Sequence, residues 1–404
     1  MRILQVNKFS YPHGGTERHF LRLISELTSR GHNVKVLSTQ LPKGEKRGIH
    51  PDCAFKEIDF ARPFRSPLNF FRVLRNSFWN SSGRDQVRHF IKKWRPDIVH
   101  VHNVYHHLSA SILEVFYEAE IPVILTVHDY HMINPLYVGS GWDAHNKLYI
   151  FPSDEEIIVN GLVQKSVAKS LFKVLSWHWE KRFYKKIHMF VCSSPEVATL
   201  VQKNYPENQV VYHDLPLEYF SFKRAPSHMI LWVGRDDFGK GPDLLSLFAE
   251  SLSDDWKIEA IGIDAREGNL KYGSHTRVHW RGVCTQHEVA EALSRAAFLI
   301  VPTRYPETFS LVTAEAIASG CPFIASDTPV LRYTARADQE GISPFGILAP
   351  PPMHPRDIGI WIDIIHTAIN KGIPFDREKA LSLQNERTWA SYSTWIEHIY
   401  EKSL

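Results

Sequence analysis

Residues 301–325 read VPTRYPETFSLVTAEAIASGCPFIA, and this run contains every part of a strand–loop–helix–strand unit. The apolar residues before Pro302 predict a strand, and the alanine-rich centre predicts a helix. Gly320 ends that helix, because glycine readily adopts the left-handed conformation that follows many helices. A second apolar run, Phe323–Ala325, predicts the next strand. Units of this kind build parallel β-sheets.

The same alternation of apolar strands and amphipathic helical segments extends along the rest of the chain. Gly31, for example, closes a helical apolar pattern, and a new strand begins at Val34. We therefore predict an α/β fold with two Rossmann-like, doubly wound parallel-sheet domains. The predicted strands are Ile3–Val6, Val34–Ser38, Ile98–His102, Val123–His128 and Met189–Ser193, followed by Met229–Val233, Ile258–Ile261, Val278–Trp280, Phe298–Val301 and Phe323–Ala325.

The chain length also favours two domains, because 404 residues exceed the ~250–300 at which a single core stops growing. Leu217–Ser227 lacks a clear period, follows Pro216 and contains Pro226, as expected of a linker. Near the end of the chain, Trp389–Lys402 has the apolar stripe of a helix that packs on another surface. We predict a first domain at 1–216, a linker at 217–228, a second domain at 229–385, and a helix at 386–404 that returns to the first domain.

The composition is that of an ordinary globular protein, with 44% hydrophobic and 23% charged residues. Its four cysteines are widely separated and lack the spacing of a metal site, which predicts a reduced, cytoplasmic protein. The first residues form a short strand pattern rather than a secretory signal. No run of about 18 apolar residues predicts a membrane-spanning helix. The formal net charge of +3 indicates no particular partner.

Two glutamates flank the helix start in the stretch quoted above. Glu307 lies in the loop and Glu315 lies inside the helix, with seven residues between them. Both can face the carboxyl ends of the strands, where open parallel sheets bind ligands. The helix start from Phe309 to Val312 also directs free backbone N–H groups there, which suits a phosphate or sugar hydroxyls. The alternative is that the two glutamates, like most pairs in an arbitrary helix, lie on a solvent-exposed face and bind no ligand.

A second motif, LWVGRDDFGKGPDLL at residues 231–245, joins a strand to a helix through a glycine-rich loop. It contains Gly234 and two cations, Arg235 and Lys240. Two cations fixed in such a loop can stabilise the negative charge of a bound phosphate group. An ordinary surface loop is the alternative for this motif taken alone.

The spacing of Glu307 and Glu315 resembles the E-x7-E motif of family 4 glycosyltransferases, and the rest of the chain is similar to that family in order and spacing. The resemblance implies the GT-B fold, with a cleft between two domains, and transfer from a nucleotide-diphosphate sugar with retention of anomeric configuration. It implies that Glu307 contacts the donor sugar and Glu315 the ribose. Cationic side chains generally replace a metal in this fold, so no metal and no cofactor are expected.

Further motifs acquire roles through this resemblance. Gly14-Gly15-Thr16-Glu17-Arg18 resembles a loop near the diphosphate and acceptor, and Thr126-Val-His-Asp-Tyr130 resembles the segment whose histidine reaches the donor sugar. Gly282 and Val283 lie where similar proteins meet the nucleobase. The resemblance implies three sets of site residues. The expected catalytic residues are His128, Arg235, Lys240 and Glu307, and the expected acceptor-binding residues are Arg18, Asp129 and Tyr130. The expected donor-binding residues are Gly14, Gly15, Gly234, Arg235, Lys240, Gly282, Val283, Glu307, Thr308, Phe309, Ser310, Leu311, Val312 and Glu315.

Two assignments complete this set of residues. Thr308 and Ser310 stand where family members often carry glycines, so the motif does not identify the donor sugar. His100 and His102 are assigned to packing.

Two basic stretches interleaved with aromatic residues form a third feature. They predict helices with a cationic and an apolar side, the pattern of a protein that touches an anionic membrane surface. The alternative is a helix that buries its apolar side in the core. No nucleic-acid reader motif is present, so nucleic acid is not an expected partner. The basic residues are Arg62, Arg65, Arg72, Arg75, Arg84, Arg88, Lys92, Lys93 and Arg95 in the first stretch, and Lys165, Lys169, Lys173, Lys181, Arg182, Lys185 and Lys186 in the second.

The expected acceptor is a saccharide or lipid-linked glycan of polysaccharide or glycoconjugate biosynthesis. Three other functions suit the same architecture: a sugar-nucleotide epimerase, a phosphorylase that uses inorganic phosphate, and a catalytically silent nucleotide-sugar-binding partner. An epimerase would convert the donor without an acceptor, and a phosphorylase would depend on phosphate. The intact set of Arg235, Lys240, Glu307 and Glu315 favours catalysis over silent binding.

Overall fold

The computed structural model describes residues 1–56, 58, 66–136, 141–143, 148–218 and 223–404. Arg62 and Arg65 of the first basic stretch, and residues 219–222 of the predicted linker, lie outside the described residues. The chain forms two compact units. Unit 1 comprises residues 1–138, 151–213 and 390–404, and unit 2 comprises residues 139–150 and 214–389.

The core of unit 1 is a seven-stranded sheet in which every neighbouring pair of strands is parallel. Its central strand is almost wholly buried because helices cover both faces, as parallel sheets require. The strand order is β3-β2-β1-β4-β5-β8-β9. The strands are β1 (Arg2–Val6), β2 (Asn33–Thr39), β3 (Cys53–Phe55), β4 (Ile98–Val101), β5 (Val123–Thr126), β8 (Met189–Cys192) and β9 (Gln209–Tyr212). The antiparallel pair β6 (Gly141–Asp143) and β7 (Leu148–Ile150) precedes β8 in the sequence and belongs to unit 2.

The helices of unit 1 connect these strands. Gly31 ends the first helix with a φ of 85°, as the sequence predicted, since this backbone conformation favours glycine. Ser66 and Asn80 cap the starts of the second and third helices through side-chain oxygens. The helices are α1 (Gly15–Ser29), α2 (Pro67–Phe78), α3 (Ser81–Lys93), α4 (Leu113–Glu118), α5 (Asp154–Val159), α6 (Val167–Tyr184) and α7 (Pro195–Asn204).

Unit 2 contains a six-stranded parallel sheet in the order β12-β11-β10-β13-β14-β15. Trp232, Phe248 and Trp361 are among its largest fully buried side chains. The strands are β10 (Met229–Val233), β11 (Lys257–Ile261), β12 (Val278–Gly282), β13 (Phe298–Val301), β14 (Phe323–Ser326) and β15 (Gly346–Ala349). The helices are α8 (Leu245–Glu250), α9 (Ala265–Tyr272), α10 (Gln286–Arg295), α11 (Leu311–Ala318), α12 (Pro329–Thr334), α13 (Pro355–Lys371) and α14 (Arg377–Glu386).

The last helix, α15 (Trp389–Ser403), packs on unit 1, as predicted. Its Tyr400 is fully buried and accepts a hydrogen bond from Gln5 in β1 at 3.1 Å. Its Glu397 pairs with Arg30 at 2.9 Å and with His32 at 2.7 Å. Residues from both ends of the chain therefore build one core.

These two parallel sheets confirm the predicted α/β class with two doubly wound domains. Three strands of the parallel sheets were not predicted: β3, β9 and β15, each at a sheet edge. In the described part of the chain, no helix is both long and apolar enough to span a membrane.

Candidate active site

The site in unit 2 lies where the strand order reverses. Successive connections move outward from β10 to β11 and β12 on one side, and from β13 to β14 and β15 on the other. Ligands of such sheets bind at the carboxyl ends of the two strands that flank this reversal. The loop after β10 carries Arg235 and Lys240, and the loop after β13 carries Glu307. The topology therefore brings both predicted motifs to the position where a ligand is expected.

Lys240 and Glu307 meet directly at this position. The Lys240 Nζ donates a hydrogen bond to Glu307 Oε1 at 2.5 Å, and the two side chains are 31% and 12% exposed. A cation and a carboxylate from loops 67 residues apart are thus adjacent. Together they offer one group suited to phosphate oxygens and one suited to sugar hydroxyls.

Glycines shape the loop that holds Lys240. A β-carbon on Gly239 would lie 1.8 Å from the ring of Tyr305, so no larger residue fits there without displacing the neighbouring loop. Gly241 has a φ of 72° and packs against the Pro302 carbonyl, which again excludes a side chain. The indole of Trp232 donates to the Lys240 carbonyl oxygen at 3.0 Å. Tyr305, Pro302 and Trp232 therefore surround the backbone at Lys240 and fix its position.

The loop after Glu307 is anchored by Phe309. This ring is 1% exposed, and the Arg387 guanidinium lies 5.3 Å from its centroid. The Thr334 hydroxyl donates to the Phe309 carbonyl oxygen. Ser310 then adopts a φ of 64°, a left-handed conformation that glycine adopts more easily, and its hydroxyl lies 2.9 Å from that of Thr313. The serine therefore occupies a glycine-like backbone position just before α11.

Asp214 binds Arg387, the arginine that lies against Phe309 in this loop. Its carboxylate accepts hydrogen bonds from Arg387 Nε at 2.7 Å, Arg336 Nη2 at 2.5 Å and the Tyr333 hydroxyl at 2.6 Å. Burial alone would raise the pKa of Asp214, but the guanidinium groups of Arg387 and Arg336 hold that pKa below its ordinary value. No local sequence pattern predicts this cluster, because its members are far apart along the chain.

The remaining donor-side predictions occupy the same edge of the sheet or α11. Gly234 follows β10, Arg235 is exposed, Gly282 ends β12 with a φ of 79°, and Val283 is 89% exposed. Thr308, Leu311, Val312 and Glu315 are half-buried.

In unit 1, Gly14 and Gly15 form the start of α1, after β1. Gly14 is the extended residue before the helix, and its carbonyl accepts from the Arg18 backbone N–H at 3.1 Å. A β-carbon on Gly14 would approach the buried Glu17 carboxylate to 3.3 Å. The helix N-terminus and the exposed Arg18 side chain therefore lie at the carboxyl edge of this sheet.

His128 follows β5 and belongs to a chain of hydrogen bonds that the sequence did not reveal. Its Nε2 lies 2.8 Å from His102 Nδ1, and His102 Nε2 lies 3.0 Å from Gln5 Oε1. The Gln5 amide donates to the Tyr400 hydroxyl, which lies 2.7 Å from His100 Nδ1. His100 and His102 are both buried, in agreement with their assignment to packing, and they also belong to the hydrogen-bonded network that includes His128.

These hydrogen bonds define which nitrogen carries the proton in the neutral rings of His102 and His128. Gln5 Oε1 can only accept, so the His102 proton lies on Nε2 and its Nδ1 is an acceptor. His128 must then donate from Nε2, which leaves its Nδ1 as the acceptor atom. A neutral His128 in this tautomer can accept a hydrogen bond from a sugar hydroxyl.

Burial keeps these histidines neutral. It lowers the pKa of His19 to about 4, and together with the charge of His19 it lowers that of His100 to about 3. Burial, followed by the charges of His19 and His100, also holds the pKa of His128 well below its ordinary value. The ring nitrogens of His19, His102 and His128 lie within 4.8 Å of one another, and this is the one group among the described residues that could hold a metal ion.

Acidification is expected to destabilise unit 1 through these rings. Because their folded-state pKa values are lowered, their contribution is complete above about 6.5 and is lost as the pH falls towards about 4 for His19 and about 3 for His100. Each ring contributes up to about 1.4 kcal/mol per pH unit. Urea unfolding at pH 7.5 and pH 5 measures the effect.

The matched variants are His19→Leu and His50→Leu. The first removes a buried ring and should flatten the pH dependence, whereas the second removes an exposed ring and should leave it unchanged. Equal unfolding free energies of the wild-type chain at the two pH values would contradict the assignment.

Asp129 and Tyr130 follow His128. The Asp129 carboxylate accepts from the Tyr105 hydroxyl and from the His131 backbone N–H at 2.9 Å, so it orders the loop after β5. Tyr130 is 1% exposed and packs against Phe151.

Two family models together match most of the chain. Residues 13–213 match Glycosyltransferase Family 4, and residues 220–355 match Glycosyl transferases group 1. The chain belongs to the family 4 glycosyltransferases. A glycogen synthase of Mycobacterium tuberculosis (strain CDC 1551 / Oshkosh) is 25% identical to this family 4 glycosyltransferase over 440 residues, which cover 99% of this chain and 94% of the relative.

Solved structures agree with the GT-B fold of this glycosyltransferase. A sucrose-phosphate synthase from Thermosynechococcus elongatus superposes with a TM-score of 0.66 at 17% identity, over 99% of this chain and 98% of the other. The Anabaena protein HepE, in complex with UDP-glucose, superposes with a TM-score of 0.63 at 14% identity, over 100% of both chains. The family 4 glycosyltransferase therefore has the GT-B fold.

Proposed function

We propose that this enzyme transfers a sugar from a nucleotide-diphosphate sugar to a hydroxyl of a saccharide or lipid-linked glycan, with retention of anomeric configuration. The contact between Lys240 and Glu307 at the reversal of strand order is the observation that carries this proposal. The complex of HepE with UDP-glucose, a protein of the same fold, supports a nucleotide sugar as the donor.

In this proposal, Arg235 and Lys240 bind the donor diphosphate. The guanidinium can grip two oxygens at once, whereas the ammonium acts as a point charge. As the glycosidic bond breaks, negative charge grows on the leaving diphosphate, and both cations stabilise it more in the transition state than in the ground state. No metal ion is proposed, since these two side chains supply the positive charge.

The carboxylates and His128 orient the sugar. Glu307 accepts hydrogen bonds from the sugar hydroxyls, Glu315 accepts from the ribose, and His128 accepts from a hydroxyl through Nδ1. Retention is proposed to occur by front-face displacement: the acceptor hydroxyl attacks the anomeric carbon, and its proton passes to an oxygen of the departing diphosphate.

A screen of nucleotide sugars tests the donor. A bound donor at 100 times its Kd adds about 2.7 kcal/mol to the folded state, and this gain raises the melting temperature. Incubation of a stabilising donor with candidate acceptors should then give a glycoside and the nucleoside diphosphate. An epimeric nucleotide sugar without acceptor, or turnover that requires inorganic phosphate, would refute transfer.

We also propose that unit 1 contacts the inner face of an anionic membrane. Leu68 and Phe71 on α2 are 61% and 65% exposed, and Leu171 and Leu175 on α6 are 44% and 55% exposed. The two helices pack together, since the Trp179 indole donates to the Phe78 carbonyl oxygen at 2.7 Å. Cations of both basic stretches lie on the same helices, as in proteins that bind the surface of anionic bilayers.

Flotation with vesicles tests this contact. The wild-type chain should float with phosphatidylglycerol vesicles at low salt and much less with neutral vesicles. The double variant Phe71→Ser/Leu175→Ser should reduce flotation several-fold. Each Å² of apolar side-chain surface that no longer enters the membrane removes about 25 cal/mol of favourable binding free energy. Leu270→Ser is the control, since Leu270 is 86% exposed on α9 of unit 2. Equal recovery on anionic and neutral vesicles would exclude the contact.

A further inference from the structure

Unit 1 contains a cavity of about 360 Å³ that lies apart from the predicted donor-binding and catalytic motifs and is lined in part by Arg72 and Arg75 of the first basic stretch. It lies beside the carboxyl ends of β2 and β3 and is bordered by α2 and the start of α3. The carboxyl edge of a parallel sheet is its usual ligand-binding edge. The lining residues include Gln40, Lys56, Arg72, Arg75, Asn76 and Gln86.

The lining is positively charged. Lys56, Arg72 and Arg75 contribute three cations, and the described residues around the cavity include no carboxylate. The Arg75 Nη2 donates to the Ser82 hydroxyl at 3.2 Å, which fixes the guanidinium near the first turn of α3. A guanidinium held in this way is suited to the oxygens of a phosphate.

Asn76 provides an independent indication of a ligand. Its side chain is 1% exposed, and its Nδ2 donates to the His107 carbonyl oxygen at 3.2 Å. Its Oδ1 is buried and has no hydrogen-bond partner among the described residues. An unsatisfied buried acceptor costs about 1–3 kcal/mol, and a ligand hydroxyl that donates to Asn76 Oδ1 would remove this cost.

Neighbouring side chains hold the cavity wall in place. The Asn80 Oδ1 accepts from the Gly83 backbone N–H at 3.0 Å, and the Gln86 amide donates to the Ala54 carbonyl oxygen at 2.8 Å. A β-carbon on Gly83 would lie 2.6 Å from the Phe55 ring, so only glycine lets the first turn of α3 approach β3 this closely. The cavity is therefore formed by the packing of unit 1 itself.

We infer that this cavity binds a phosphorylated polyol: the cations hold the phosphate, and Asn76 Oδ1 accepts from a hydroxyl. The inference rests on the proposed function in one respect, since we assign this molecule as part of the acceptor. The cavity lies three to four strands from β5, about 14–19 Å at 4.8 Å per strand. An acceptor that reaches His128 from here carries its phosphate far from the reacting hydroxyl.

Calorimetry with the full chain tests the inference, with glucose 6-phosphate and glucose as probes and with UDP present in excess to fill the donor site. Glucose 6-phosphate should bind at least about tenfold more tightly than glucose, which corresponds to about 1.4 kcal/mol. The double variant Arg72→Ala/Arg75→Ala should lose at least about tenfold in affinity for glucose 6-phosphate.

The matched control is Lys92→Ala/Lys93→Ala, which removes two exposed cations from α3 outside the cavity. Its affinity should change less than twofold. Because the arginines are also exposed, their removal should leave the circular dichroism spectrum unchanged. Equal affinities for the two probes, or unchanged affinity in the arginine variant, would overturn the inference.

Two further measurements separate the possible failures and the possible sources of the phosphate. Donor turnover without glucose 6-phosphate binding would refute the cavity assignment alone, whereas glucose 6-phosphate binding without stabilisation by any nucleotide sugar would refute the proposed function alone. Flotation with phosphatidylglycerol vesicles, repeated at saturating glucose 6-phosphate, identifies the source. If the sugar phosphate releases the vesicles, the cavity holds a lipid headgroup, and if it does not, the cavity holds a soluble phosphorylated saccharide.

Discussion

Lys240→Ala is expected to lower the turnover number by about 10²-fold or more, and Glu307→Ala by a similar factor. Lys240 loses its contact with a diphosphate whose negative charge grows in the transition state. Its removal also leaves the Glu307 carboxylate, only 12% exposed, without the cation that lies 2.5 Å away. That carboxylate would then repel the diphosphate. Steady-state rates with a saturating nucleotide sugar measure both effects.

The controls carry the same changes outside the site. Lys257→Ala removes an exposed cation at the amino end of β11, and Glu340→Ala removes an exposed carboxylate from a turn, so both should retain near wild-type rates. Because Lys240 and Glu307 are in contact, the double variant should lose less than the product of the two single losses. Near wild-type turnover in either single variant would contradict the proposed roles.

Asp214→Ala is expected to destabilise unit 2 by about 3–5 kcal/mol, the effect of removing one partner from a buried ion pair. Arg387, 2% exposed, would remain charged and buried without its carboxylate partner. For a domain of this size, the loss corresponds to a decrease of roughly 6–20 °C in melting temperature. Phe309 rests against Arg387, so donor affinity should decline with the loss of stability.

Asp254→Ala is the matched control for this measurement. Asp254 also pairs with an arginine, at 3.3 Å, but its side chain is 99% exposed, and exposed pairs contribute little. Calorimetry should therefore show an almost unchanged transition for Asp254→Ala and a large decrease for Asp214→Ala. A decrease of less than 1 kcal/mol in the latter would show that the buried cluster does not stabilise unit 2.

The interior of both sheets could be predicted from the sequence because buried parallel strands are continuous apolar runs. All ten predicted strands exist, with ends that differ by a few residues. The strands that were not predicted, such as β9 with its partly exposed Gln209–Tyr212, lie at edges. An edge strand is defined by its neighbour as much as by its own residues, so its local pattern is weak.

The candidate site likewise has a part that the sequence predicts and a part that it does not. Motifs with short spacing, such as Gly234 to Lys240 and Glu307 to Glu315, could be read from the sequence. The partners that hold them could not, because contacts such as Asp214 with Arg387, or Gln5 with Tyr400, join residues 173 and 395 positions apart. Such contacts exist only once the fold has formed.

The return of α15 to unit 1 has a consequence for biosynthesis. Residues 1–213 leave the ribosome first, but Tyr400 emerges only after residues 214–389 of unit 2, about 180 residues, which take roughly 9–35 s at 5–20 residues per second. During that interval Gln5 and His100 lack the hydroxyl that completes their hydrogen bonds. Until the final helix is translated, the nascent amino-terminal half therefore lacks the core contacts of α15 and is accessible to chaperones and proteases.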